Sequence, residues 1–239
     1  MAFQKDLFAQ QHVLVTGATQ GIGAGVANYL ASLGARVTAV GLDRGDGSLS
    51  AGVRVVLADV SDPESTQRVF DDIDSLDALV NCAGIIRRGA EHQVEVFEKV
   101  VSVNLTGTMR MCTASRALLK VSRGAIVNMA SMLSFFGGAM VPGYAASKGG
   151  VAQLTKSLAL AYAGDKIRVN AVAPGWIATP LTQALQDDPA RSKPILSRTP
   201  LGRWGTPEDV AGCVAFLCSP AAAFMTGVIL PVDGGYLVA

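Results

Sequence analysis

Tyr144 and Lys148, in the run Tyr-Ala-Ala-Ser-Lys, are the pair in this chain whose types and spacing could carry proton chemistry. On a helix, residues four apart share one face. A free tyrosine hydroxyl has a pKa near ~10, and bringing it near ~7 needs about 4 kcal/mol of preferential stabilisation of the phenolate. A lysine ammonium alongside, in a closed site, acts in that direction. Taken alone, YxxxK describes an ordinary surface pair equally well. Ser131, thirteen positions before Tyr144, puts a hydroxyl at the end of an apolar run, with Gly137-Gly138 and Pro142-Gly143 between. From there it can face the tyrosine across a cleft and hydrogen-bond a substrate oxygen.

A second pattern is the glycine turn Thr16-Gly17-Ala18-Thr19-Gln20-Gly21-Ile22-Gly23, which follows an apolar run and precedes a helical pattern. Glycine lets backbone N–H groups approach a pyrophosphate without interference from Cβ, and a helix N-terminus adds unpaired N–H groups and partial positive charge. Any tight strand–helix turn favours glycine, but the first strand–helix junction is where a dinucleotide would be held. Asp43 lies twenty positions after Gly23, the offset at which an acid binds ribose hydroxyls and repels a 2′-phosphate. Arg44 follows it and could instead meet that phosphate, and Asp43-Arg44 could equally be a solvated turn. With Gln20 rather than a basic residue in the glycine turn, NAD is expected over NADP.

These groups need a scaffold that returns strand ends to one edge. Apolar runs at Val13–Thr16, Val37–Leu42, Val53–Ala58, Ala78–Asn81, Ala125–Ala130, Ile167–Ala173 and Val228–Val232 read as seven strands. Helical periodicity lies between them at Ile22–Leu33, Pro63–Ile73, Val94–Leu119, Tyr144–Ala163 and Pro207–Leu217. This alternation predicts an α/β fold, a doubly wound and mostly parallel seven-stranded sheet of the Rossmann type, as a single domain over residues 1–239. Ligands of such sheets bind at the carboxyl ends of the strands. From Trp176 to Trp204 no strand is predicted, and Pro180, Pro189, Pro194 and Pro200 punctuate the segment. A connection that long is read as a substrate lid over 176–204, or else as a surface excursion packed on the core.

Composition narrows the partners. The 239 residues are 50% hydrophobic and 16% charged, with a net charge of +1. That excludes a disordered chain and gives no concentrated basic field for nucleic acid or an anionic membrane. No run approaches the ~18 apolar residues of a membrane span, and the first ten residues make a poor signal peptide. Cys82, Cys112, Cys213 and Cys218 form no CxxC pair and sit among apolar neighbours, as reduced thiols of a cytoplasmic protein would. His12 and His92 have no metal-site spacing, so no metal is expected.

Taken together and in order, the motifs resemble those of the short-chain dehydrogenase/reductase family across essentially the whole chain. They are the TGxxxGIG turn, Asp59, Asn81-Cys82-Ala83-Gly84, Asn104, Ser131, Tyr144, Lys148, Pro174-Gly175 and Thr179. The resemblance implies an NAD(P)-dependent oxidoreductase with Tyr144 as general acid/base and Ser131 polarising the substrate oxygen. It also implies that Lys148 lowers the tyrosine pKa and holds the nicotinamide ribose, and that Asn104 supports a water-mediated proton relay. Asp59 would bond the adenine, Asn81 would brace the cleft floor, and Thr179 would meet the carboxamide. Gly17, Gln20, Gly21, Ile22, Gly23, Asp43, Val60, Ala83, Gly84, Pro174, Gly175 and Ile177 complete the implied cofactor set. In isolation, Asn104 could simply bond a backbone carbonyl, and Asp59 and Thr179 could be helix caps. Cys82 stands where the family has a second Asn; a thiol cannot reproduce that amide's hydrogen bonds, so altered bracing is expected.

For substrate, the residues expected to line the cleft are Ser131, Ser134, Arg87 and Trp176. The segments SMLSFFGG, AGIIRRG and PLGRWG resemble those of 2-deoxy-gluconate and gluconate dehydrogenases. The N-terminal third and Lys166–Thr179 resemble the L-xylulose (dicarbonyl) reductases. Both imply a sugar, polyol or sugar acid, with arginines able to clamp a carboxylate; Arg87-Arg88 could also be a solvated loop or an intersubunit contact. Reduction of 3-oxoacyl-carrier-protein is an alternative that Gln20 and Leu42 disfavour. A non-catalytic dinucleotide sensor is another, disfavoured by the presence of both Tyr144 and Lys148. The family resemblance also implies a homotetramer.

Overall fold

A computed structural model describes residues 3–239 and contains one seven-stranded sheet. Strand β1 (His12–Thr16) leads into α1 (Gly21–Ser32), followed by β2 (Arg36–Gly41), β3 (Arg54–Leu57), α2 (Pro63–Phe70) and β4 (Ala78–Asn81). The order along the sheet is β3-β2-β1-β4-β5-β6-β7, with β5 at Ala125–Met129, β6 at Arg168–Pro174 and β7 at Ile229–Val232. All six pairings are parallel, so the sheet is parallel throughout. The chain leaves β1 in one direction along the sheet and resumes at β4 in the other, which opens a crevice between the carboxyl ends of these two strands.

The central strands are buried at every position, because helices cover both faces. On one face Val26 and Leu30 of α1 pack with Val210, Val214 and Leu217 of α8 (Pro207–Cys218). On the other, Val69 of α2 meets Met111 and Leu119 of α4 (Gly107–Ser122) and Leu158 of α5 (Pro142–Tyr162). Each such side chain contributes about 1.5–3 kcal/mol on burial. The outer strands are less covered: β3 is exposed at both ends, and β7 carries Pro231, whose missing N–H an edge strand tolerates.

Two expectations change. The helix predicted over Val94–Leu119 is α3 (Val94–Val101) and α4 joined by one wide π turn at Ser102–Thr106. The extra residue in that turn cannot be read from apolar spacing, and it re-aims the side chains that follow. The segment 176–204, expected only to hold no strand, carries helices. It forms short α6 (Gln183–Gln186) and α7 (Pro189–Arg198), while a bridge of Ile177 to Gly205 joins its two ends. Ala178 N–H donates to Gly205 C=O at 2.8 Å and Gly205 N–H to Trp176 C=O at 2.9 Å. Among the described residues, no helix is long and apolar enough to cross a membrane.

Candidate active site

A cleft of about 580 Å³ opens at the β1/β4 crevice. Its floor is the glycine turn. Gly17 has a φ of +59°, and a Cβ there would lie 2.6 Å from Ala83 Cα, so only glycine lets the turn close on the end of β4. Gln20 starts α1 without a side-chain cap, and the first turn of α1 has no acidic residue. The N–H groups of that turn therefore face the cleft uncompensated by negative charge, the arrangement that suits a phosphate. Gly17, Gln20, Gly21, Ile22 and Gly23 all line the cleft, with Asp43, Asp59, Val60, Ala83, Gly84, Tyr144, Lys148 and Thr179 around it. This glycine cradle and the cleft's size fit a nicotinamide dinucleotide.

The acidic residues are partly committed within the protein. Asp43 Oδ1 accepts Gly45 N–H at 2.8 Å, the closed turn foreseen as an alternative, yet the side chain still borders the cleft. Asp59 Oδ1 accepts both Ser61 N–H and Ser61 Oγ–H at 2.7 Å. Burial raises the Asp59 pKa, but the Ser61 hydrogen bonds and the Lys99 and Arg110 charges outweigh it and leave the carboxyl below its ordinary value.

At the other end, α5 delivers Tyr144 and Lys148 from one face. Lys148 is 3% exposed, and its Nζ donates to Met129 C=O at 2.6 Å, which anchors the ammonium to the end of β5. It stands 5.6 Å from the centre of the Tyr144 ring. Burial pulls Lys148 down to about 8, against a weaker opposite effect of Cys82. Burial pushes the Tyr144 hydroxyl above its ordinary value, opposed by the nearby Ser131 hydroxyl and the Arg88 charge. Lys148 stands beside the ring, while the Ser131 hydroxyl and the Arg88 charge act against the burial that raises the hydroxyl. Gly84 is needed beside this pair, since a Cβ there would lie 3.2 Å from Asn104 Oδ1 and 3.6 Å from Lys148 Nζ.

Several expected residues belong to the frame instead of the cleft wall. Asn104 is fully buried in the π turn. Its Oδ1 accepts Ile85 N–H at 2.8 Å, and its Nδ2 donates to Ile85 C=O and Ser147 Oγ, both at 3.0 Å. The side-chain amide is therefore spent on holding the strap after β4 against α5. Asn81 is buried too; its Nδ2 donates to Asn128 Oδ1 at 2.9 Å and Cys112 Sγ at 3.3 Å, while its Oδ1 has no partner. Cys82 does reach the cleft, with burial pushing its thiol up to about 12.

Ser134, expected to meet substrate, accepts Ser131 N–H at 3.2 Å and donates to Lys148 C=O at 2.7 Å, so its hydroxyl ties the turn after β5 to α5. Pro174 and Gly175 end β6, and Ile177 packs on Gly205; none of the three lines the cleft. Trp176 stands in a separate cavity of about 530 Å³ with Pro200 and Val232, edge-on to Trp204. Of the expected substrate residues, Arg87 lies at the dinucleotide cleft. Its neighbour Arg88 is partly buried, which lowers its pKa, and the charge of Arg191 of α7 adds to that while the Arg88 charge acts on Tyr144. Thr19 of the glycine turn and Leu42 after β2 also line the cleft, as does Lys99, which no motif marks because only the fold places it there. Among the described residues, no three His, Cys, Asp or Glu side chains gather as a metal site would need.

A parallel doubly wound sheet, a glycine cradle at its switch point and a Tyr/Lys pair on the neighbouring helix define a dinucleotide-dependent oxidoreductase. The chain belongs to the short-chain dehydrogenase/reductase family, and a family model described as enoyl-(acyl carrier protein) reductase matches residues 17–237. The 2-dehydro-3-deoxy-D-gluconate 5-dehydrogenase of Pseudoalteromonas atlantica is 41% identical over 240 residues, 94% of each chain. The protein of the same name from Bacillus subtilis is 41% identical over 256 residues, 99% of each chain. A candidate 2-deoxy-D-gluconate 3-dehydrogenase from Agrobacterium tumefaciens, solved with NADP bound, is 42% identical with a TM-score of 0.91, covering 99% of this chain and 100% of that one. The protein is accordingly an NAD(P)-dependent oxidoreductase acting on CH–OH groups.

Proposed function

We propose that the substrate is a sugar acid of the 2-dehydro-3-deoxy-D-gluconate kind, interconverted at a secondary carbon between alcohol and ketone. The observation that carries this reading is the arginine strap at the cleft. Arg87 lines it, and next to it the charge of Arg88 acts on Tyr144 and is opposed by a second positive charge, Arg191 of α7. Two like charges at one place cost free energy unless an anion sits between them, and a guanidinium pair matches a carboxylate. A bound nicotinamide cofactor supplies or accepts the hydride. In the reductive direction the Tyr144 hydroxyl gives its proton to the substrate oxygen, and Ser131 orients that oxygen. In the oxidative direction Tyr144 takes the proton back. Lys148 holds the ribose side of the cofactor, Asp43 its adenosine ribose and Asp59 the adenine end, while Asn104 keeps the strap and α5 in register.

The segment 176–204 serves as the lid in this reading. Its ends are joined at Ile177 and Gly205, and it carries Thr179 to the cofactor cleft and Arg191 to the substrate end. The protein works as a homotetramer in the cytoplasm. Its four unpaired thiols suit a reducing compartment, and exposed Met109, Leu160 and Phe224 are apolar surface that partner subunits would cover.

The test is an initial-rate screen of sugar acids, neutral polyols, diketones and acetoacetyl thioesters with NAD(H) and NADP(H). Carboxylated sugars should be preferred over the matching polyols. Arg88→Gln should raise KM for them on the order of 10- to 100-fold, the loss of a charge-assisted hydrogen bond. Activity confined to thioesters with NADPH would overturn this reading in favour of 3-oxoacyl-carrier-protein reduction.

A further inference from the structure

Glu91 is a carboxylate buried to 1% exposure in a short turn that no motif marks. Its two oxygens are used separately: Oε1 accepts Arg87 N–H and Oε2 accepts Tyr144 N–H, both at 2.7 Å. The second contact matters because of where it falls. Helix α5 begins at Pro142, which has no N–H, and Val141 before it offers no side-chain cap. The Tyr144 N–H is one of the donors that the start of a helix leaves unpaired, and here an acid from another segment satisfies it. Two further bonds run alongside, from Gly89 N–H to Met140 C=O at 2.8 Å and between His92 Nε2 and Ala139 C=O at 2.9 Å. The Arg87–Arg88 strap and the start of α5 are thus laced together, with Glu91 as the buried member.

We propose that Glu91 is a positioning residue for the reaction: its carboxylate bridges the backbone of the Arg87–Arg88 strap and the backbone of Tyr144. It thereby fixes the distance between the group that holds the substrate anion and the hydroxyl that exchanges the proton. This rests on the roles given above to Tyr144 and Arg88. A carboxylate serves both amides because each oxygen is an acceptor; an amide side chain offers one acceptor and turns an N–H₂ against the other N–H. Glu91 also brings negative charge near the Tyr144 hydroxyl and so favours its protonated form. The other groups acting on that hydroxyl are Arg88 from the strap and Ser131 from the turn after β5, with Lys148 beside the ring on α5 itself and the charge of Arg191 of α7 acting on Arg88. Facing Glu91 are Arg88 and the Tyr144 end of α5.

Two variants separate geometry from charge. Glu91→Gln keeps the shape but loses one acceptor and the charge. Its kcat on the best alcohol substrate should fall on the order of 10²-fold, as a misplaced reacting group would produce. Its acidic limb of kcat/KM should move to lower pH, since removing a negative charge eases deprotonation of Tyr144. Glu91→Asp keeps the charge but is too short for both amides, so kcat should fall with the limb unmoved. NAD(P) affinity, read by fluorescence quenching, should stay near wild type in both. Wild-type kcat in either variant would overturn the proposal, as would a Glu91→Gln loss with an unmoved limb. Loss of the fold in both variants, read by circular dichroism and cofactor binding, would also overturn it in favour of a purely structural role. A wild-type enzyme inactive on every alcohol, or an active Tyr144→Phe enzyme, would instead defeat the functional reading beneath it.

Discussion

The Tyr144 hydroxyl begins as a weaker acid than free tyrosine, because burial raises its pKa and Ser131 and Arg88 pull it back only in part. Its ordinary state near neutral pH is the protonated donor. Tyr144→Phe should therefore cut turnover on the order of 10²- to 10⁴-fold in both directions. NAD(P) binding by calorimetry should change little, and substantial residual turnover would remove the residue from the proton path. Lys148 lies at about 8, so its ammonium is present below that pH and is lost as pH rises through it. If the charge helps to hold the cofactor, NAD(P) affinity measured on either side of pH 8 should fall on the alkaline side. A flat profile would leave Lys148 acting as a hydrogen-bond donor alone. The shared helical face of Tyr144 and Lys148 was legible in the sequence from their spacing, while the acid/base role proposed for them came from the set of motifs taken together. Glu91 carried no signal at all, and among the arginines able to clamp a carboxylate nothing local distinguishes Arg88 from Arg87.

At the level of elements, the positions of α5, the strap after β4 and the 176–204 excursion decide what the site can hold. The excursion returns to the body just before α8, at Arg203, Gly205 and the Thr206 cap. Thr206 Oγ1 accepts Asp209 N–H at 3.4 Å, and Asp209 in turn takes Thr206 N–H at 2.7 Å and two bonds from Arg203. Arg203 holds the Asp209 carboxyl at about 2, below its ordinary 3.8, so this contact contributes stability above pH 3.8 and loses it as pH falls towards 2. Asp209→Asn should accordingly flatten the acid-unfolding curve over that window, followed by circular dichroism, with an unchanged curve counting against the pairing. The helical stretch expected across Val94–Leu119 is unbroken, but its π turn went unseen for a reason specific to helices. A π turn inserts one residue without disturbing the polar and apolar character on either side, so periodicity passes over it, and Asn104 is aimed by that insertion.

For the whole molecule, the near-neutral charge, the parallel sheet and the family resemblance agree, and the remaining question is assembly. Val121, Leu160 and Phe224 are 86%, 83% and 105% exposed, which is costly for large apolar groups that stay in water. Light scattering coupled to size exclusion should give four times the 24.7 kDa chain mass. Leu160→Glu should shift the particle towards smaller species while leaving the secondary structure intact. A wild-type monomer would overturn the tetramer.

The sequence by itself determined the class of fold, the glycine turn at the first strand–helix junction and the placing of Tyr144 and Lys148 on one helical face. Each depends on short-range regularities: apolar runs buried from both sides, glycines at one strand–helix turn, and two side chains one helical turn apart. Only the tertiary structure decided which polar groups face the cleft and which are consumed in the frame. Ser134, Asn104 and Asn81 have side chains as capable of meeting a ligand as any in the cleft, but their hydrogen bonds go to Lys148, Ile85 and Asn128. A polar atom's partner is set by segments tens of residues away, and no local pattern encodes that choice. The same holds for Glu91, whose importance lies in two backbone N–H groups that meet only when the sheet has brought α5 beside the strap.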